Sequence, residues 1–452
     1  MRLTTVTQMT LPRGRIHSLV LAAHTTDGPA LPISFDQRRH VEAGDRRGSW
    51  MAIAFRLPEQ VARSEVSQAW AAVVERHGAL QTVFDRDDDG RLRLRAADIE
   101  AHGWEEHDVA DDVDPRAVLA GILDAACTPF AQPSHRVCLV KPGPVSTDAD
   151  PRPMLVIASD HANVDMWSLL VLVRDLAECI DDLHDGRPAG SRLPRSVPAF
   201  SEHTAMLDAR PPAPADVAAR WGRVLDAGQG AMPVFPLPLG DVDRARPAVV
   251  AVDDVLDADG WHRLSSNAER LGVRPTALAL SALSAATLDL AGVPLRAVFP
   301  VHSRYDPRWN DAVGWFITNS VIELPDPDPR ACSDAVRDAI SLGSHPLGPL
   351  LAPHGGMVEP PGMFALSWLD TRRMPLGVDG GFDVQYVSAT VETDGVMVWF
   401  VINDDGLHVR WRHPDTPEAH RSLPAWIEAV TRRLQQSAHE VAEHGAGALA
   451  AG

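Results

Sequence analysis

The sequence predicts a mixed α/β protein built of two lobes, and three observations support this class. The chain has 452 residues, more than one ordinary hydrophobic core accommodates. Strand-like and helix-like patterns are mixed in both halves of the chain, without a repeat of fixed period. Two stretches rich in proline, glycine or arginine, at 185–200 and 209–216, separate the halves. We therefore predict a first lobe over 1–185, a linker region over 186–216 and a second lobe over 217–452.

The first half contains both kinds of element. A loop enters a short helix within 33–44, and an apolar strand follows at 49–57. A helix is predicted from Pro58, because apolar residues recur on one helical face and proline is tolerated in a first turn. These residues are Val61, Val66, Ala69, Trp70, Val73 and Val74. The Asp-Asp-Asp-Gly stretch at 87–90 predicts a hairpin. A helix at 115–126, strands at 135–141 and 154–160, and a helix from about Met166 complete this half.

The second half has the same mixed character. Strands are predicted at 248–256, 296–304, 320–325, 363–370, 384–392 and 396–404. A pair of helices is predicted within 259–291, and an amphipathic helix at 417–441 closes the pattern. The class is therefore α/β or α+β, rather than all-α or all-β.

Composition narrows the classes of function. Hydrophobic residues make up 45% and charged residues 23%, as in ordinary globular proteins. The net charge of −19 argues against a general partner for nucleic acids or anionic membranes. No apolar run reaches the ~20 residues that span a bilayer. Four cysteines without metal-ligand spacing predict a reduced, cytoplasmic protein.

A histidine and an aspartate four residues apart, His161 and Asp165, stand where a strand is predicted to become a helix. The spacing alone leaves three interpretations open: a catalytic base, a metal ligand or a histidine of the core. Residues four apart share a helix face, so a metal site could recruit His302, His345 or His354, although these have no motif spacing.

Four segments in order resemble the condensation-domain family of nonribosomal peptide synthetases, within the CoA-dependent acyltransferase superfamily. ISFDQRRHV (33–41) is similar to the family's S-x-x-Q-x-R segment, and ERHGALQTVFDR (75–86) to RHExLRTxF, with Gln81 where arginine is usual. SDHANVDMWSLL (159–170) resembles HHxxxDGxS. The stretch 299–325 resembles the paired "GR" and IGxFVNTLPLR segments. The resemblance runs from about residue 30 to 435.

The resemblance implies two chloramphenicol-acetyltransferase-like lobes, arranged as a V-shaped pseudo-dimer with a central active-site tunnel. It implies a freestanding acyltransferase that joins an acyl or aminoacyl thioester, held by a carrier protein in trans, to a small amine or hydroxyl acceptor. The product would be an amide or ester of natural-product biosynthesis. No metal or bound cofactor is expected, because the donor brings its own phosphopantetheine arm.

Site residues follow from the same resemblance. His161 matches the catalytic histidine. Asp165 matches an aspartate that pairs with Arg304, and this pair is expected to join the turn after His161 to the second lobe. Asp160 replaces the first histidine of the motif and is expected to be structural. Met166 replaces a glycine, and its backbone N–H is the candidate oxyanion donor. The tunnel candidates are Trp167, Ser168, Trp315 and Asn319, of which Ser168 could bond locally and Asn319 could be structural.

Several alternatives accompany this hypothesis. Acyl-CoA could replace the carrier as donor, since both present the same arm. A catalytically inactive recruitment platform is the rival from another class, and Met166 is its main support. Asp160 and Asp165 form the DxxxxD pattern of heterocyclisation domains, which we take as coincidence. The arginines at 38, 39, 46 and 47 are either a solvated loop or a docking patch for an acidic carrier.

Overall fold

The computed structural model describes residues 2–58, 60–110, 112–143, 150–194, 196–374 and 380–439. It divides into two compact units. The first comprises Met1–Arg210, His302–Ile317 and Met374–Val391, and the second comprises Pro211–Val301, Thr318–Arg373 and Glu392–Gly452. Each unit holds one sheet and several helices, which confirms the mixed α/β class and the presence of two lobes.

The strands, in chain order, are β1 (Arg2–Thr5), β2 (Gly14–Thr25), β3 (Trp50–Arg56), β4 (Thr82–Arg86), β5 (Leu92–His107), β6 (His135–Pro142), β7 (Met154–Asp160), β8 (Arg246–Asp257), β9 (Leu295–His302), β10 (Ile317–Leu324), β11 (Phe364–Asp370), β12 (Gln385–Ser388), β13 (Glu392–Thr393), β14 (Val396–Asn403) and β15 (Gly406–Pro414).

The α-helices are α1 (Phe35–Glu42), α2 (Arg63–Arg76), α3 (Pro115–Ala126), α4 (Met166–His184), α5 (Phe200–Asp208), α6 (Ala215–Ala227), α7 (Ala258–Arg270), α8 (Pro275–Ala291), α9 (Pro329–Gly343), α10 (Leu347–Leu351) and α11 (Pro417–His439). Short 3₁₀ turns lie between them, including one at His161–Asn163 that follows β7 directly.

The first unit is an eight-stranded sheet in the order β1-β12-β3-β7-β6-β2-β5-β4. Its interior strands are apolar on both faces, because helices cover both. Trp70 of α2 and Leu169 of α4 pack with Ile157 on one face, while Leu119 and Leu123 of α3 pack with Val156 on the other. All seven residues of β7 are buried, so the strand delivers His161 from a rigid position.

The second unit is a seven-stranded sheet in the order β10-β9-β11-β14-β15-β8-β13. Helices α7, α8 and α11 pack on one face around Leu264, Leu283 and Trp426. The indole N–H of Trp426 donates to the Thr287 hydroxyl at 2.9 Å, which satisfies the polar atom inside this core.

Most of the predicted elements are present. The hairpin at 87–90 joins β4 to β5, and Gly90 has a φ of +77° in its turn. The Asp87 carboxylate accepts the backbone N–H groups of Asp89 and Arg91 in the same turn. The predicted helix at 115–126 coincides with α3, and Asp114 caps its first turn.

Three predictions differ from the structure. The helix expected from Pro58 begins at Arg63, where the Glu65 carboxylate accepts the Ala62 N–H. The strand expected over 384–392 is two strands in two different sheets, β12 and β13. The chain first passes from one unit to the other at 210/211, inside the predicted linker region 186–216, but two later segments assigned to the second lobe belong to the first unit. Segments 302–317 and 374–391 pack in the first unit, because β12 pairs with β1 and β3 there.

All four cysteines are buried free thiols. Over the described ranges, no individual helix combines the length and apolar character needed to cross a bilayer. Among the helices that the structure describes, α7 and α8 meet those two requirements when taken together, across a bend of 97°.

Candidate active site

His161 lies in the 3₁₀ turn between β7 and α4, and backbone and side-chain hydrogen bonds hold this turn in place. The His161 N–H donates to the Ser49 carbonyl at 3.0 Å. The Asp160 carboxylate accepts the Ala162 N–H at 2.9 Å, and the Gln37 amide donates to the Ala162 carbonyl at 2.8 Å. The backbone that carries the imidazole is therefore fixed on both sides.

The tautomer of His161 follows from one hydrogen bond. Nδ1 lies 3.0 Å from the Val164 carbonyl oxygen. A carbonyl only accepts, so Nδ1 carries the proton and Nε2 keeps its lone pair. Burial lowers the pKa of His161 below the ordinary histidine value. Both observations favour a neutral imidazole with Nε2 available as a base.

Two aromatic side chains surround this imidazole. The Trp315 indole stacks on His161 with ring centroids 4.0 Å apart and planes 23° apart. His40 lies edge-on to the same indole at 5.3 Å, and its own ring is 6.1 Å from that of His161. Trp315, a tunnel candidate, therefore contacts the predicted catalytic residue directly.

Asp165 and Arg304 form a buried ion pair, with 3.2 Å between Asp165 Oδ1 and an Arg304 nitrogen. Asp165 caps α4 by accepting the Ser168 N–H at 2.7 Å, and it also accepts the Phe316 N–H at 3.1 Å. The guanidinium lies 3.8 Å from the Phe316 ring centroid and donates to the Trp309 and Ala312 carbonyls. The pair thus joins the start of α4 to the segment 302–317.

Ser168 completes this network and has little freedom to meet a substrate. Its hydroxyl is fully buried, donates to the Asp165 carboxylate or the Gly314 carbonyl, and accepts from Arg304 and the Gly314 N–H. Of the two interpretations of Ser168, the structure favours local bonding. The ion pair of Asp165 and Arg304 was expected to reach the second lobe. Instead, Asp165, Ser168 and Arg304 all belong to the first unit.

Met166 opens α4, where the first backbone N–H has no acceptor within the helix. Its backbone is ordinary: the described non-glycine residues with positive φ are Gln229 and Asp383. The Tyr386 hydroxyl on β12 donates to the Met166 carbonyl at 2.9 Å. Methionine in place of the family glycine therefore does not strain this turn.

The two aspartates of the DxxxxD pattern are both committed to structural contacts. Asp160 is fully buried and lies 3.0 Å from His40 Nε2, and Asp165 holds Arg304. The geometry does not present the two carboxylates as a free pair.

The remaining candidates lie in both units. Trp167 is half-buried, and its indole N–H donates to the Asn310 carbonyl at 2.8 Å. Asn319 lies on β10 in the second unit and is half-buried. Among the described residues, the group close enough to share a metal ion is His24, Glu100 and His102, all exposed on β2 and β5. It contains none of the histidines that the metal hypothesis named.

Three supporting residues were missed by sequence reasoning. Gln37, His40 and Tyr386 all support the His161 turn. Gln37 and His40 lie in the quoted segment 33–41, so the motif drew attention to the right place. Nothing in the sequence signals that Tyr386, 220 residues after Met166, contacts it.

Comparison with known proteins identifies the family. The Condensation domain model matches residues 41–339. Phosphinothricin tripeptide synthetase PhsC of Streptomyces viridochromogenes is 28% identical over 64% of this chain, which covers 27% of that protein. Acyltransferase PapA3 of Mycobacterium tuberculosis is 24% identical over 49% of this chain and 50% of its own length. The chain thus spans half or less of these curated relatives.

A solved structure extends the likeness to the fold. The PapA2 acyl transferase superposes with a TM-score of 0.83 at 20% identity, covering 97% of this chain and 100% of that one. The family predicted from the four motif segments is confirmed, and with it the two-lobed fold class. The chain belongs to the condensation-domain family, and acyltransferases are among its relatives.

Proposed function

We propose that the protein transfers an acyl or aminoacyl group from a carrier-protein thioester to a small amine or hydroxyl, forming an amide or an ester. The observation that carries the proposal is the hydrogen bond from His161 Nδ1 to the Val164 carbonyl, which leaves Nε2 with its lone pair available. The phosphopantetheine arm would arrive with the donor, and neither a metal nor a redox cofactor is required. A cytoplasmic location, with no nucleic-acid or membrane partner, accords with the acidic composition.

His161 would act as the base in this reaction. As the acceptor nitrogen or oxygen attacks the thioester carbonyl, Nε2 takes its proton, and the carbonyl electrons move to oxygen. Collapse of the tetrahedral intermediate breaks the carbon–sulfur bond, and the proton from Nε2 passes to the departing sulfur to give a thiol. General base catalysis of this kind contributes ~10²–10⁴-fold to a rate.

The start of α4 would stabilise the oxyanion. The Met166 N–H is a donor without a helical acceptor, and the positive end of the helix dipole lies at the same place. Asp165, Arg304 and Tyr386 would act indirectly, because they hold this helix terminus in position.

The alternatives make different predictions. Acyl-CoA as donor uses the same chemistry, so only the donor preference separates it from a carrier. Against the inactive platform, the Met166 backbone is ordinary and His161 Nε2 keeps its lone pair. The predicted V-shaped arrangement and central tunnel, with Asn319 beside it, stay predictions.

The first experiment compares metabolites of the native producer with the gene deleted, restored, and restored as His161→Ala. We expect the same product to disappear in the deletion and His161→Ala strains, with an accumulated precursor that identifies the acceptor. His24→Ala, an exposed histidine of the same sheet, is the matched control and should retain the product.

The donor is tested with purified protein and that precursor. Product formation from the acyl carrier protein but not from acyl-CoA supports the proposal, and the reverse result selects the acyl-CoA alternative. If deletion removes the product but folded His161→Ala restores it, the acyl-transfer mechanism is wrong and the platform is the better account.

A further inference from the structure

We propose that His40 is a positioning residue for His161: it holds the Asp160 carboxylate and thereby sets the orientation and ionisation of the His161 imidazole. The importance of this device for catalysis rests on the proposed function of His161 as a base. The device itself follows from contacts of the first unit alone.

The first contact joins His40 to the backbone of the turn. His40 Nε2 lies 3.0 and 3.2 Å from the two Asp160 oxygens. Asp160 has no exposed surface, and the His40 side chain is only 10% exposed. The same carboxylate accepts the Ala162 N–H. His40, on α1, therefore contacts Asp160 directly and Ala162 only through the Asp160 carboxylate.

The second contact defines the protonation of His40. An Arg46 nitrogen lies 2.8 Å from His40 Nδ1, and another Arg46 nitrogen donates to the His40 carbonyl at 3.0 Å. Arginine is only a donor, so Nδ1 must be the acceptor and Nε2 must carry the hydrogen. A neutral His40 thus bridges the Arg46 cation and the Asp160 anion. Arg46, predicted as part of a solvated loop or a docking patch, instead points into this network.

The third contact passes through Trp315. Its indole is edge-on to His40 and stacked on His161, so the two imidazoles share one aromatic neighbour. A change at His40 reaches His161 along two routes, through the Asp160 turn and through the indole.

The charges around His161 predict the direction in which its protonation changes when a neighbour is replaced. His40 faces it from α1, Asp160 from the end of β7 and Asp165 from the start of α4. Asp165 is matched by Arg304, whereas Asp160 is matched through His40 by Arg46. Replacing His40 with an apolar residue leaves the Asp160 charge less compensated, which favours a protonated His161. Replacing Asp160 with asparagine removes that charge, which has the opposite effect.

The test is an NMR titration of the histidines in the full-length protein, with ¹⁵N-labelled imidazoles and His161→Gln to assign the signal. In His40→Leu the titration midpoint of His161 should rise by roughly 1 pH unit, and in Asp160→Asn it should fall. His40→Gln keeps an N–H donor for Asp160, so its His161 midpoint should lie between those of the unmodified protein and His40→Leu. His420→Gln, which removes an exposed histidine paired with Asp415, should leave the midpoint unchanged.

The unmodified protein provides a measurement that needs no variant. At neutral pH the ¹⁵N shifts of His40 should identify the neutral form with hydrogen on Nε2. A cationic His40, or hydrogen on Nδ1, overturns the proposal. So does a His161 midpoint that stays the same in folded His40→Leu and Asp160→Asn.

These outcomes are independent of the activity test. If the midpoints move as expected but His161→Ala stays active, the proposed function fails and the positioning of His161 stands. If His161→Ala is inactive and the midpoints do not move, only the role of His40 is wrong.

Discussion

At the scale of single residues, the most constrained feature is the ion pair of Asp165 and Arg304. Each charge is almost fully buried, and each has hydrogen bonds besides the partner. A buried charge whose partner is removed loses its compensation but stays out of water. The pair is therefore required for the local structure, whatever role the turn has in catalysis.

We expect Arg304→Ala to lower the free energy of unfolding by about 3–5 kcal/mol, because it leaves the Asp165 charge buried without its partner. Denaturant unfolding followed by tryptophan fluorescence measures the loss. The control is Arg308→Ala, whose exposed pair with Asp306 should contribute at most about 1 kcal/mol. Equal losses in the two variants would contradict the assignment.

A second residue-scale prediction concerns Gly314. A Cβ added there would overlap the Phe200 ring, and the Gly314 N–H donates to Ser168. Gly314→Ala should therefore destabilise the protein by about 1–3 kcal/mol through overpacking. Gly121→Ala is the matched control, since open space surrounds this helical glycine, and it should stabilise by up to about 1 kcal/mol. Thermal unfolding of both variants tests the contrast.

At the scale of elements, β6 carries a buried histidine that makes stability depend on pH. His135 Nε2 lies 3.1 Å from the Leu80 carbonyl. Burial lowers the pKa of His135 to about 4, against the hydrogen bond to Leu80, which raises it. In the unfolded chain this histidine has the ordinary pKa of about 6.5, so as the pH falls the unfolded chain binds the proton at a higher pH than the folded protein does. Stability should therefore fall as pH decreases from about 6.5 to about 4.

His135→Gln tests this dependence, because glutamine keeps an N–H for Leu80 and does not titrate. Urea unfolding at pH 7 and pH 4.5 should show a smaller loss in the variant, with a difference on the order of 2–3 kcal/mol. An identical pH dependence in both proteins would show that His135 binds its proton at the same pH in the folded and unfolded chains, which contradicts the lowered pKa.

Local patterns predicted most elements, and the misses have one local and one non-local cause. Five of the six apolar positions predicted for α2 lie on its buried face, whereas Val61 precedes the helix. The start was predicted too early, because the capping contact of Glu65 with Ala62 competes with the proline signal. One apolar run, 384–392, divides between two sheets, and no local property of the run shows where.

The site follows the same rule. His161, Asp165 and Arg304 were found through motif segments, and the structure brings them together in one unit. His40 was missed, because its significance depends on Asp160, 120 residues later. The periodicity of apolar residues reports on one helix or strand at a time, so it cannot predict a contact between residues 120 positions apart.

At the scale of the whole molecule, the first unit is discontinuous in sequence. Strand β12 lies between β1 and β3, and Arg304 and Phe316 pack on α4. A fragment of residues 1–210 would lack these parts and would expose the edge of β3 and the Asp165 charge. We expect this fragment not to fold, and near-UV circular dichroism with NMR dispersion is the measurement. A native-like spectrum from the fragment would contradict the division into units.

Synthesis on the ribosome gives this discontinuity a time scale. The first unit needs residues up to Val391, 181 positions beyond Arg210 (391 − 210). At about 5–20 residues per second, those positions take roughly 9–36 s to translate. During that interval the N-terminal chain must wait with an unfinished sheet, while most of the second unit is already being made. The first unit therefore cannot finish folding before most of the second unit has been synthesised. Until then the nascent chain exposes an unpaired strand edge, which is a binding site for a chaperone.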